Sequence, residues 1–457
     1  MSLEGAIAAH RFGLGARPGE IARASANPKT WLTAQLDGPA PMPRDENGQP
    51  FPNAGKLVSE EEDYKALKFR TKGDKAARKA ANRQKVKMGG MGGNIRRQEY
   101  VAEMASRLAL GCTTDRPFHE RLVRFWSNHF TVSGARHKVM LFAGAFEREA
   151  IRPHVTGNFE DMLFAVCMHP AMQVYLDNWH SIGPNSRAAK GGKGLNENLG
   201  RELMELYTLG VDGGYTQADV IAMAKLLTGW GLYDGRPDGF GFYDTRHEPG
   251  PITLRGKTYP AGWDGGVAAI KDLAHDPATA RHVARKLATH FIADDPPKDS
   301  VARLEAAFKD SKGNLRVVSE AIVNDPNAWK PEQRKMRTPV EYLTAAMRLT
   351  GSKGDHREMR RLLGSARMMG EIPFGAPSPK GWPDTADAWS GSDGLLDRIQ
   401  WAKEFGDGLP SDVSIANLAN DGLGPLLKPN TKSVMAKAGS RGEAVALLLA
   451  SPEFQRR

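Results

Sequence analysis

A run of acids after residue 195 carries the chemistry this sequence is best placed to perform. In NENLGRELMELY, Glu197, Arg201 and Glu205 recur at intervals of four, so on a helix they share one face. Glu202 falls on the neighbouring face, one turn after Asn198. Upstream, YLDN supplies Asp177 and Asn178. The expectation is that this turn and the acidic helix converge on a cleft beneath the Gly-, Ser- and Lys-rich loop 181–194. Carboxylates in unequal surroundings separate into an acid and a base, which suits glycosidic-bond chemistry. The same oxygens suit a divalent cation. Asp177, Glu197 and Glu202 are therefore candidate catalytic acids, and Asn178, Asn198 and Arg201 candidate substrate contacts. A plainer account stays open: Glu197 with Arg201 is an ordinary helix pair, worth about 0.2–0.5 kcal/mol at a surface.

Histidine is the second source of acid–base chemistry. His247, in TRHEPG, sits in a Gly/Pro loop where a packing role is less natural, and Glu248 beside it is a candidate orienting partner. His129, in WSNHF, stands among Trp126 and Phe130, so a buried hydrogen-bonded role competes with substrate contact. His10, His137 and His290 are expected to cap or pack. Trp230 belongs to a dense aromatic stretch whose rings either stack sugars or form a small local core. No His-Glu-x-x-His, Gly-x-Ser-x-Gly or Walker A pattern occurs, and no cofactor is evident. A Ser, His, Asp triad stays open, because geometry and not spacing defines it.

The elements that must position these groups read as mainly α. Helix starts are written at Thr216 with Asp219, at Asp276-Pro277, and at Thr338-Pro339 with Glu341, each a cap or capping box. Gly210 is expected to close the acidic helix in the left-handed conformation. His169-Pro170 interrupts an apolar helix. Residues 229–265 change to Gly and aromatic residues and predict a small β-hairpin or loop excursion. The organisation expected is N-terminal helices and a loop over 1–58, a basic insertion over 59–93 with its helix opening near Ser59, and a large multi-helix domain over 94–457 that carries the excursion.

The net charge of +10 is local: Tyr64 to Arg97 holds twelve Lys or Arg and one acid, leaving the remainder near neutral. That stretch is a solvated insertion or an arm for an acidic partner, and it has few of the interleaved aromatics that single-strand binding uses. No apolar run is long enough to span a bilayer. The opening MSLEGAIAAHRFGLG lacks the pattern of a signal peptide, which predicts a cytoplasmic protein or one co-exported to the periplasm. Cys112 and Cys167 predict two buried thiols rather than a disulfide framework.

Several patches, in order along nearly the whole chain, resemble the bacterial "domain of unknown function 1800" family. They are AAHRFGLGARPGEI, RLVRFWSNHFTVS, YLDN with NENLGRELMELYTLGVDGGYTQADVIAMAKLLTGW, RHEPGPITLRGKTY, RKLATHFIADDPP, KMRTPVEYL, PSPKGWPDTADAW and LLLASPEFQRR. Glu248 stands where the family pattern has Asp, and Arg255 precedes Gly256. The resemblance implies no particular reaction. It implies frequent export, and a protein partner resembling sulfatases or alkaline phosphatases encoded alongside. Two functions are therefore expected to compete: a hydrolase or lyase acting on a polymer such as a glycan, and a non-catalytic accessory protein for such an exported partner.

Overall fold

The computed structural model of the protein describes residues 1–70, 72, 74, 76, 79, 93–189, 194–332 and 335–457. Much of the basic stretch expected over 59–93 lies outside them. The chain is mainly α-helical, and the strands among the described residues form two small antiparallel pairs. Trp230–Leu232 pairs with Phe240–Phe242, and Ile252–Leu254 with Lys257–Tyr259, both inside the predicted excursion. No helix among the described residues is long and apolar enough to cross a membrane.

Local sequence accounts for most helix starts. Thr216 and Asp219 exchange the two bonds of a capping box ahead of Gln217–Leu226, and Thr338 with Glu341 does the same ahead of Pro339–Leu349. Asp276 caps Pro277–Phe291 by accepting from the Ala278 N–H at 2.8 Å. One start is earlier than the sequence suggests. The helix expected from Ser59 opens at Ala54, because Asn53 accepts the Lys56 N–H at 2.9 Å and provides a cap just after Pro52. His169, its side chain accepting from the Ala171 N–H, splits the apolar segment into Phe159–Met168 and Pro170–Tyr175.

Buried apolar side chains from Ile7 to Phe454 form one continuous cluster. At its heart lies Pro117–His129, whose Phe118, Leu122, Phe125 and Trp126 are buried. The core also contains charge. Arg152 binds Glu120 and Glu147 at 2.7 Å each, and Arg107 holds the other oxygen of Glu147 at 2.5 Å. Glu341 lies between Arg121 and Arg457. Arg348 grips Glu20 with bonds of 2.8 and 2.9 Å. Cys112 and Cys167 are free and buried.

Removing one member of such a buried set strands the others without a counter-charge, which costs about 3–5 kcal/mol. Glu341→Gln is expected to lose stability in that range by urea unfolding. An unchanged midpoint would remove the clamp from the account of stability.

Two buried histidines and one half-buried histidine are expected to make the fold acid-sensitive. Burial, reinforced by Arg337, holds His10 down to about 3, and burial with Arg116 does the same for His119. Burial and Lys286 hold His282 down to about 4. Each is neutral when folded and takes a proton near pH 6.5 when unfolded. Stability is therefore full above about 6.5 and drains as pH falls towards these lowered values, by at most about 1.4 kcal/mol per pH unit per histidine. The urea midpoint is expected to fall between pH 7 and pH 5, before most carboxylates titrate; a flat midpoint over that range would contradict it.

Candidate active site

The turn at YLDN is built by a left-handed residue. Asp177 has φ +56°, a conformation uncommon for residues other than glycine, and it steers the chain from Pro170–Tyr175 into the short turn Asn178–His180. Arg136 secures this bend, donating to the Tyr175 carbonyl at 2.5 Å and to Asp177 Oδ2 at 2.6 Å. Asn178 faces inward. Its Nδ2 donates to Gln173 Oε1 at 3.0 Å and to the Leu227 carbonyl at 3.2 Å, tying the turn to the end of Gln217–Leu226.

The acidic helix runs as Asn198–Glu202 and widens into a π-turn over Leu203–Tyr207. Gly210 follows at φ +81°, where a side chain would meet the His282 ring at 2.7 Å. At about 100° per residue this helix presents two faces of different use. On one, Glu197 Oε2 accepts from Arg201 at 2.9 Å and from Gln217 at 2.8 Å. On the other, Asn198 and Glu202 look into a hollow of about 320 Å³, walled by Arg136, Tyr175 and Ser133 and bordered by Pro377 and Pro379. The predicted set is thus divided. Glu202, Asn198 and, through Arg136, Asp177 belong to this hollow, while Glu197 and Arg201 are engaged with Gln217 and Asn178 with the interior.

The two carboxyl groups have unequal surroundings. Partial burial raises the proton affinity of Glu202, Glu205 adds to it, and Arg201 opposes it. Asp177 has a guanidinium directly on one oxygen. Tyr175 is pushed up to about 12 by burial, so its hydroxyl keeps its proton at neutral pH.

The other predicted residues lie elsewhere. His247 is buried, with Nδ1 donating to the Thr228 carbonyl at 2.9 Å and Nε2 accepting the Gly262 N–H at 2.8 Å. Glu248 turns away from it, to Asn185 at 2.7 and 2.9 Å and Lys225 at 3.1 Å. This pair fastens the β excursion to its neighbours. Trp230 is buried and stacked on Trp263 with ring centroids 4.7 Å apart, inside the cluster that Phe240 and Phe242 complete. His129 donates from Nε2 to the Tyr207 carbonyl at 3.1 Å, and its Nδ1 has no partner. Among the described residues, no three His, Cys, Asp or Glu side chains are grouped to hold a metal ion.

Sequence reasoning missed Arg136, Tyr175 and the proline-bearing segment 373–385. Tyr175 stands two residues before Asp177 within the very motif that was read, which was a usable signal. Arg136 carries no local mark of its pairing.

A family model described as "Protein of unknown function (DUF1800)" matches residues 7–456. The chain belongs to the DUF1800 family. No curated protein and no solved structure matches it.

The division of the predicted set is open to measurement. In this DUF1800 chain, His247→Ala leaves the half-buried Gly262 N–H and the buried Thr228 carbonyl without their histidine partner, which is expected to cost about 1–3 kcal/mol. Glu197→Gln, in a half-exposed pair, is expected to stay within about 0.5 kcal/mol. Urea unfolding of both variants checks the contrast, and equal losses would contradict it.

Proposed function

We propose that the protein is a hydrolase or lyase acting on a polymer such as a glycan, with Glu202 as the proton-transferring group of the hollow. One observation carries this reading: Glu202 and Arg136 line one open hollow, and Arg136 also holds Asp177, so two carboxyl groups in unlike surroundings belong to one neighbourhood. In hydrolysis, protonated Glu202 gives its proton to the leaving glycosidic oxygen. Asp177, bound by Arg136, takes a proton from the attacking water, and the elements of one water are added across the broken bond. Asn198 and Tyr175, which line the hollow, are the sugar-hydroxyl contacts in this reading.

The test is release of new chain ends from a panel of polysaccharides by the wild type and by Glu202→Gln. The expected loss in the variant is about 10²–10⁴-fold. Because the acid works protonated, wild-type activity is expected to fall as pH rises through the raised Glu202 value. Treating the same preparation with a chelator separates this chemistry from a divalent cation held by the same oxygens. Equal turnover by wild type and variant, or no turnover on any polymer, would sink the proposal. The second outcome would favour the accessory role beside an exported sulfatase- or phosphatase-like partner.

A further inference from the structure

A basic surface adjoins the hollow. Arg136 lines the hollow with a half-exposed side chain and spends only one nitrogen on the protein. Its Nη1 serves both the Tyr175 carbonyl and Asp177, while Nε and Nη2 meet no acceptor among the described residues. Those two groups form the side edge of the guanidinium, where two parallel N–H bonds fit one carboxylate. Two residues on, Lys138 is exposed, and its ammonium lies 4.9 Å from the centre of the Trp179 ring. Because Arg136 pairs with Asp177 and Lys138 meets Trp179, residues 136–138 and 177–179 lie side by side.

Two further cations reach Trp179. Lys65, the first basic residue of the charged stretch that begins at Tyr64, places its Nζ 5.4 Å from the same ring centre. Arg246 donates to the Trp179 carbonyl at 3.5 Å and covers the Tyr243 ring at 4.7 Å. His180 is exposed, with its ring centre 3.7 Å from that of Trp179. Three acids on the same segments are already bound: Asp177 by Arg136, Glu62 by Lys65 at 2.6 Å, and Asp244 by Arg187. Lys138 and Arg246 have no acidic partner among the described residues. Burial holds His180 below its ordinary proton affinity, and Lys138, Arg246 and Lys65 add to that against Asp177 alone. An aromatic face attracts ammonium groups, so Trp179 gathers cations that would otherwise repel one another.

We propose that the polymer taken by the hollow is an anionic polysaccharide bearing uronate carboxylates, held at Arg136 and along Lys138, Lys65 and Arg246, a substrate class that rests on Glu202 acting in the hollow. Arg136 is fixed on one side by the Tyr175 carbonyl and Asp177, so its free edge is in place before a carboxylate arrives. The remaining cations come from separate elements: Lys138 follows in the same loop, Lys65 stands on the helix Ala54–Arg70, and Arg246 ends the short turn Asp244–Arg246. A charge repeated along a chain meets all of them, whereas a single sugar meets one. Single-stranded nucleic acid fits less well, because it needs open aromatic faces for its bases. The Trp179 ring is already attended by His180 and two lysines.

The experiment is calorimetric titration of the full chain carrying Glu202→Gln, which is expected to hold polymer without cutting it. The probes are polygalacturonate, its methyl ester, a dextran sulfate with one sulfate per sugar, and single-stranded polyadenylate. Polygalacturonate is expected to bind about tenfold or more tighter than its uncharged ester, and less tightly as salt rises. Adding Lys138→Glu is expected to weaken that binding about tenfold while the melting temperature holds, since Lys138 is exposed and makes no ion pair among the described residues. Adding Arg136→Lys keeps the charge and removes the two-pronged edge, and is expected to narrow the preference for polygalacturonate over dextran sulfate. Equal affinity for acid and ester, tighter binding of dextran sulfate or polyadenylate, or unchanged affinity with Lys138→Glu would overturn the proposal. Wild-type cutting of a neutral polymer with no gain on polygalacturonate would also overturn it, and would leave the Glu202 reading standing. Tight binding of polygalacturonate that the wild type never cuts would support the surface and fault Glu202 alone.

Discussion

Guanidinium groups cannot be buried alone, and that constraint organises this molecule. Glu341 meets Arg121 from Pro117–His129 and Arg457 from the far end of the chain, while Arg457 also donates to the His290 carbonyl at 2.8 Å. One carboxylate thereby fixes three helical segments relative to one another. The same carboxylate is placed by its own backbone, since Glu341 is the third residue of the capping box begun at Thr338. A local device that starts a helix and a long-range device that joins helices share one side chain. Glu147, between Arg107 and Arg152, repeats the logic on the other side of Pro117–His129. Arg107 and Glu341, one member of each clamp, line a cavity of about 500 Å³ beside residues 373–385.

The fold was legible where the signal was local. Thr216, Asp276 and Thr338 announced their helices because caps act within four residues. The aromatic stretch at 229–265 announced its strands because Gly and ring-bearing residues alternate there. The start at Ala54 was hidden by a more conspicuous acidic run beginning at Ser59, although Asn53 was a cap in plain view.

The site was legible only in part, for a geometric reason. Spacing says which residues share a helix face, but not what that face meets. Glu202 and Asn198 were placed on one face correctly, yet nothing local tells that Gln217 closes over Glu197 and Arg201 while Glu202 stays open. His247 looked free because its loop is rich in Gly and Pro. Its partners, the Thr228 carbonyl and the Gly262 N–H, are backbone groups that no side-chain pattern reveals. His290 reads in the sequence only as a capping or packing residue, because Asp384, which it binds at 2.7 Å, lies nearly a hundred residues away.

Gly381 lies at φ +85°, and a methyl group there would come within 2.5 Å of the Asn128 carbonyl oxygen. The segment it belongs to is a party wall, with one hollow on each side and Pro377 touching both. Enlarging either room shifts the boundary of the other. The shapes of the two chambers are therefore linked through Pro377, and a lineage that widens one must adjust its neighbour in step.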